Sequence, residues 1–242
     1  GFIPNRSTEH AVSRSVTLAN RKFHHVVDID IEGFFDNVNH GKLLKQIWTL
    51  GIRYKKLISI ISKILKSPIE GIGVPKKGTP QGGILSPLLS NIVLNELDWW
   101  IANQWESIKT RHKYTKCNKY TALKKTKLKE MFIVRYADDF KIFCKNRNTA
   151  KKAFIATNMW LKERLNLQIS KDKSKVVNLN KNYSEFLGFK MKVRNKGKKK
   201  VVTSHISEKA KEKIKSKLKK QIVKIQKDNN SNNVNRYNRS EE

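Results

Sequence analysis

Hydrophobic and polar positions follow two periods along this chain. Val26 to Ile31 is rich in β-branched residues and is followed by Gly33 and the aromatic pair Phe34 and Phe35, which predicts a strand ending in a turn. Leu43, Leu44, Ile47 and Leu50 then recur at helical spacing, and KKLISIISKILK (55–66) repeats the pattern, so two amphipathic helices are expected next. The Gly- and Pro-rich stretch from Gly71 to Gly83 reads as loop. A long helical pattern covers 84–105, with Pro87 tolerable near its first turn. Residues 109–130 hold many Lys and Thr with little periodicity and read as a solvated insertion with room for a short helix. FIVRYADDFKIFC (132–144) alternates as a hairpin. A helix is expected from about Thr149 to Leu165, then strands near Ser174–Leu179 and Glu185–Val193, a basic turn at RNKGKKK, and an amphipathic helix from Ser207 to about Lys227. That last helix carries Ile214, Leu218, Ile222 and Ile225 on one face, and the polar residues after it are expected to be disordered. No internal repeat is visible.

Charge narrows the class. The chain has 242 residues, 38% of them hydrophobic, enough for one large domain or two small ones. Lys and Arg number 52 against 20 Asp and Glu, a formal charge of +32. Such an excess calls for a polyanionic partner, either nucleic acid or an anionic membrane surface. No apolar run approaches the roughly 20 residues of a membrane span, so no membrane partner is expected. The start at Gly1, with no signal peptide, suggests a piece of a longer protein. Cys144 falls in a strand and reads as a buried free thiol, Cys117 lies among lysines, and neither fits a metal-ligand spacing, which suggests an intracellular, reducing setting.

Against this charge stand Asp138 and Asp139, side by side at the hairpin tip. Asp favours turns, so a plain turn is the simplest reading. Yet the pair is two like charges flanked by apolar runs, and a second acidic strand end carries Asp28 and Asp30. Carboxylates gathered against their own repulsion suit a hard cation such as Mg²⁺, which also binds phosphates. Two metals between a strand end and a hairpin tip would serve phosphoryl or nucleotidyl transfer.

Five blocks, covering Gly1 to about Met191, resemble those of bacterial group II intron-encoded reverse transcriptases and maturases: GFIPNRSTEHAV, DIDIEGFFDNVNH, GTPQGGILSPLLSNIVLNELD, YADD and SEFLGFKM. The resemblance implies an α+β, palm-and-fingers polymerase fold with a central antiparallel sheet, packed helices and the first helix of a thumb. It divides the chain into partial fingers (1–25), mostly palm with finger elements and a basic insertion near 105–130 (26–194), a basic turn and thumb start (195–228) and a tail (229–242). It implies RNA-directed DNA polymerase activity with two Mg²⁺ ions, a role in intron splicing and mobility, and, as partners, an RNA template that is the intron RNA, a DNA primer and dNTPs. A bacterial cytoplasmic location follows from the same resemblance.

Carried over position by position, the first metal aspartate falls on Asp30, because the aromatic five residues on is then Phe35; from Asp28 it would be Gly33. The Ile31 carbonyl would be a further metal ligand, Asp138 the second metal aspartate and Asp139 its partner. Phe35 would exclude a ribose 2′-OH, with a core aromatic as the alternative. Gln81 would contact the incoming nucleotide, with a plain Gly-Pro loop as the alternative. Lys173 would lie near the triphosphate. Leu187 and Gly188 would belong to the primer grip, which packing alone would also explain. Finger blocks before GFIPNRS, a full thumb and an endonuclease cluster are missing from this stretch, so weak or no primer extension by it alone is expected. A retron or CRISPR-associated reverse transcriptase, a non-catalytic maturase-like protein and a generic RNA-binding module are the competing readings.

Overall fold

A computed structural model describes residues 5–69, 71, 73–79, 83–197 and 199–237. Its centre is a four-stranded antiparallel sheet in which β1 (His25–Ile29) lies between β3 (Asp139–Cys144) and β4 (Lys175–Asn178), and β2 (Met131–Tyr136) borders β3. The predicted hairpin and first strand are both present.

Helices cover one sheet face. They are α3 (His40–Thr49), α4 (Lys55–Leu65), α5 (Ser86–Ala102) and α7 (Arg147–Trp160), and the short α2 (Phe34–Asn37) enters from β1. Val27, Ile29, Phe140 and Ile142 from the strands bury against Leu43 and Ile47 of α3, Leu94 and Leu97 of α5, and Ala150 of α7. Side-chain caps set where these helices start: Asn39 accepts from the Lys42 N–H and Asn146 from the Thr149 N–H. The α7 rod ends in a π-helical turn, Leu161–Leu165, closed by Asn166 in the left-handed region.

The other face carries α1 (Thr8–Asn20) and a second antiparallel sheet of β5 (Ser184–Phe186), β6 (Phe189–Lys196) and β7 (Lys199–Ile206). Leu18, Phe23, Val26, Phe143, Phe186 and Met191 form this second core. No described helix is long and apolar enough to cross a membrane.

Four expectations change. The single strand expected over Glu185–Val193 is two strands, because Leu187 and Gly188 both take positive φ, 52° and 81°, and reverse the chain. Beyond the turn at Gly197, Lys199–Ile206 forms β7, whose lysines stay on the exposed side and mask the strand pattern. The insertion near 105–130 is anchored as well as solvated: α6 (Lys116–Lys124) buries Leu123, and Trp105 meets Tyr120 edge to face. Finally, α8 (Glu208–Tyr237) runs past the expected end into the stretch read as disordered. No Gly or Pro lies between Lys198 and Glu242 to stop it. Cys144 is a buried free thiol as expected, and burial pushes its pKa up to about 12.

Candidate active site

Strand register decides which side chains meet. On β1, Val27 and Ile29 join the helical core while Val26 joins the other, so period-two alternation sets Asp28 and Asp30 on the Val26 side. On β3 the same alternation brings Asp139, Lys141 and Phe143 to that side, with Lys141 directly opposite Asp28. Along this face the sheet grades from apolar Val26, Phe143 and Val177, through Asp28 and Lys141, to the carboxylates Asp30 and Asp139 at the strand ends.

Asp28 and Asp30 part company here. The Asp28 carboxylate is 2.7 Å from the Lys141 ammonium and accepts the Ser184 hydroxyl at 3.0 Å on each oxygen. Lys141 is only 3% exposed and lies 5.4 Å over the Phe186 ring. The Asp30 side chain, by contrast, is 48% exposed, with Lys173 at 3.5 Å as its ion-pair partner. Asp28 is therefore neutralised at the floor of a cavity of about 600 Å³, where Lys141 joins it, and Asp30 stands more open in the same cavity, whose walls include Asp139, Lys173, Tyr183 and Lys190.

The main chain at Asp30 is fixed from the loop before β4. Its N–H donates to Ser174 Oγ (3.1 Å), and its carbonyl accepts the Ser170 N–H (2.8 Å). Ile31 bridges Ile169 through the Asp30 carbonyl and the Glu32 N–H, so the Ile31 carbonyl takes no part in the bridge.

Asp138 sits in the two-residue turn between the paired residues Tyr136 and Asp139. Ala137, first in that turn, has φ 57°, the left-handed conformation that such hairpins ask for and usually give to Gly. Arg135 braces it: its guanidinium donates to the Ala137 carbonyl at 2.7 Å, to Asn91 at 3.0 Å and twice or more to Asp98 of α5. Burial pushes the Asp139 carboxyl up to about 6; Lys141 opposes the shift, and the charges of Asp28, Asp138 and Asp30 add to it.

Asp30 and Asp139 thus share the cavity, and Asp138 is coupled to Asp139 by charge. Among the described residues, no three His, Cys, Asp or Glu side chains stand close enough to ligate one ion, so the aspartates are neighbours and not a closed cage. Their chemistry nevertheless fits a hard divalent cation: oxygen donors alone, like charges side by side at one end of the sheet.

Of the remaining expected residues that the structure describes, only Lys173 lines the cavity. Phe35 is half-buried, edge to face with the buried Phe34 at 5.3 Å. Its carbonyl accepts the Thr79 N–H at 2.7 Å, and Gly78, at φ 95°, lies so close that a Cβ would stand 3.0 Å from the Asp36 carbonyl. The loop leading to Gln81 is thereby pinned beside Phe35; Gln81 itself lies outside the described residues. Leu187 and Gly188 form the β5–β6 turn, where the Gly188 carbonyl accepts the Ser207 N–H at the foot of α8. Lys141, Ser184 and Arg135 escape the sequence reading. The signal for Lys141 was a charge at an inward position of FKIF; Ser184 and Arg135 offered none.

Two outcomes follow from the buried charges. Asp28→Ala leaves the Lys141 ammonium buried without its counter-ion and should cost about 3–5 kcal/mol, while adding Lys141→Met should recover most of it, as read by urea denaturation. A carboxyl whose pKa is raised in the fold binds its proton more tightly there, so its contribution favours the fold at low pH and is lost as pH rises from 3.8 to about 6. In metal-free buffer Asp139→Asn should therefore raise Tm by about 2–4 °C at pH 8 and leave it nearly unchanged below pH 4.

Comparison with known proteins agrees with this geometry. Residues 1–191 match the family model "Reverse transcriptase (RNA-dependent DNA polymerase)". Protein YkfC of Escherichia coli is 30% identical over 229 residues, covering 87% of this chain and 59% of that protein. The group II intron-encoded protein LtrA of Lactococcus lactis is 41% identical over 104 residues, 42% of this chain and 17% of LtrA. The chain thus spans less than two thirds of the length of these curated relatives. In fold it is similar to apo telomerase from Candida tropicalis, with a TM-score of 0.53 at 16% identity over 77% of this chain and 39% of that one. The five sequence blocks, the palm-like sheet and the family match converge, and the chain belongs to the reverse transcriptase family, with group II intron-encoded proteins among its relatives.

Proposed function

We propose that this chain forms the catalytic centre of an RNA-directed DNA polymerase that copies a group II intron RNA by extending a DNA primer with dNTPs, and that it also assists splicing and mobility of that intron. The observation that carries the reading is the open acidic end of the sheet, Asp30 beside Asp139 with Asp138 in the turn, in a chain of charge +32. A diffuse basic binding module has no reason to gather carboxylates at one end of a sheet.

Asp30, Asp138 and the Ile31 carbonyl would hold two Mg²⁺ ions. When bound, these would neutralise phosphate charge and lower the pKa of the attacking primer hydroxyl. The chain's own groups then divide the remaining tasks. Lys173, already drawn to Asp30, is placed to contact the triphosphate. Phe35, fixed by α2 and the pinned Gly78–Thr79 segment, supplies a wall beneath the incoming sugar, and Gln81 follows two residues after Thr79 to meet the base or sugar. The Leu187–Gly188 turn, whose strands carry the cavity residues Glu185 and Lys190, positions the primer end. Asp28, Lys141 and Arg135 hold the strand ends in place. The lysines elsewhere bind phosphates without reading sequence.

Asp138→Asn and Asp30→Asn should each abolish primer extension on an RNA template while leaving RNA binding within about two-fold, because the amide keeps the shape and loses the charge. Retained extension by either variant overturns the assignment. Phe35→Ala should raise rNTP incorporation relative to dNTP in single-nucleotide extension; an equal fall in both rates would make Phe35 a packing residue.

A further inference from the structure

The insertion near 105–130 has no part in the reading above, yet it closes a cavity of about 400 Å³ against α1 and the start of β2. The walls are Trp105 and Tyr120 on the insertion side, Phe132 on β2, and Arg14, Arg21 and Lys119 around the mouth. The aromatic parts are mutually braced. Trp105 is 2% exposed and meets the Tyr120 ring edge to face at 5.9 Å, and Phe132 meets the buried Phe23 in the same way at 5.0 Å. Tyr120 is 37% exposed; the Lys124 ammonium lies 4.5 Å over its ring and its hydroxyl donates to Glu130, so the ring is fixed in place and a base would share it with that cation. The Arg14 guanidinium lies 5.8 Å over the Phe132 ring, held there by Glu106 at 3.0 Å. Among the described residues neither Arg21 nor Lys119 makes an ion pair.

Braced rings, a guanidinium plane and free cations at one mouth are what an unpaired nucleotide needs. The base stacks on aromatic or guanidinium faces, and the cations take its phosphate. The volume suits one nucleotide and excludes a duplex. Phe132 stands five residues from Ala137 along β2, roughly 17 Å from the catalytic turn, so an occupant here is separate from the reacting primer end. We propose that this pocket binds one unpaired nucleotide of a single-stranded RNA, stacked against Tyr120 and Arg14 with its phosphate on Lys119 and Arg21. This does not rest on the polymerase reading, since it needs no metal and no extension.

The test is equilibrium binding of a short fluorescent oligouridylate and of a matching RNA duplex to the full chain, over a range of salt. Tyr120→Leu keeps an apolar side chain against Trp105 and removes the ring. It should weaken single-strand binding by about ten-fold, leave duplex binding within about two-fold and leave the salt slope unchanged. Lys119→Ala should weaken single-strand binding and lower the salt slope by about 0.7. An oligonucleotide carrying a photoactivatable uridine should crosslink to Tyr120 or its α6 neighbours. Equal losses on single strand and duplex, or no loss for Tyr120→Leu in a variant with unchanged thermal unfolding, would overturn the pocket. Displacement of the oligonucleotide by uridine monophosphate at comparable concentration would show a free-nucleotide site and overturn the strand assignment.

Discussion

Lys141 lies under the sheet's acidic end with its ammonium 2.7 Å from Asp28, and the other carboxylates are arranged around that pair. A lysine this deeply buried is tolerable only because Asp28 neutralises it, and Ser184 donates its one hydroxyl proton to the same carboxylate. The pair crosses from β1 to β3, so it also fixes the register that brings Asp30 level with Asp139. Ser184 belongs to β5, which ties the second sheet to the same pair. One neutralised contact thus joins three strands and leaves the negative charge concentrated two residues further out, where water and a substrate can reach it.

The backbone around the centre is held away from its preferred conformations. Ala137 and Leu187 both have positive φ without being Gly, and both sit in turns whose geometry the proposed chemistry would use. Such conformations persist only where neighbours over-determine them. Arg135 does this for Ala137 through its carbonyl, and α8 does it for the Leu187–Gly188 turn through Ser207 and Ala210.

Much of the fold is legible in local pattern. β-branched runs gave β1 and the β2–β3 hairpin, and apolar spacing gave α3, α4 and α5, whereas the choice of Asp30 over Asp28 came from the resemblance to reverse transcriptases. What stayed hidden depends on distant contacts or on chain reversal. The Asp28–Lys141 pair joins residues 113 apart, which no window along the chain can reveal. The β5–β6 turn uses Leu at φ 52°, where turn chemistry would ask for Asn or Gly. β7 was hidden because its lysines face solvent, and α6 showed only as room for a short helix because Leu123 alone of its apolar residues is buried. For the centre itself, the sequence named the acids that open to solvent and missed the groups that hold them.

The last helix has a mechanical consequence. α8 has 30 residues, about 45 Å of uninterrupted helix. Its side chains beyond Ala210, as far as Gln226, are exposed, and among the described residues the body grips it at its foot, where Ser207 and Ala210 meet the Leu187–Gly188 turn. A rod held at one end is a lever. With that length, a tilt of about 10° at the foot carries the far end by about 8 Å. The hairpin beside the acidic cavity is therefore also a fulcrum: whatever grips the distal helix can push on the cavity wall with mechanical advantage, and a shift at the wall is magnified at the helix tip.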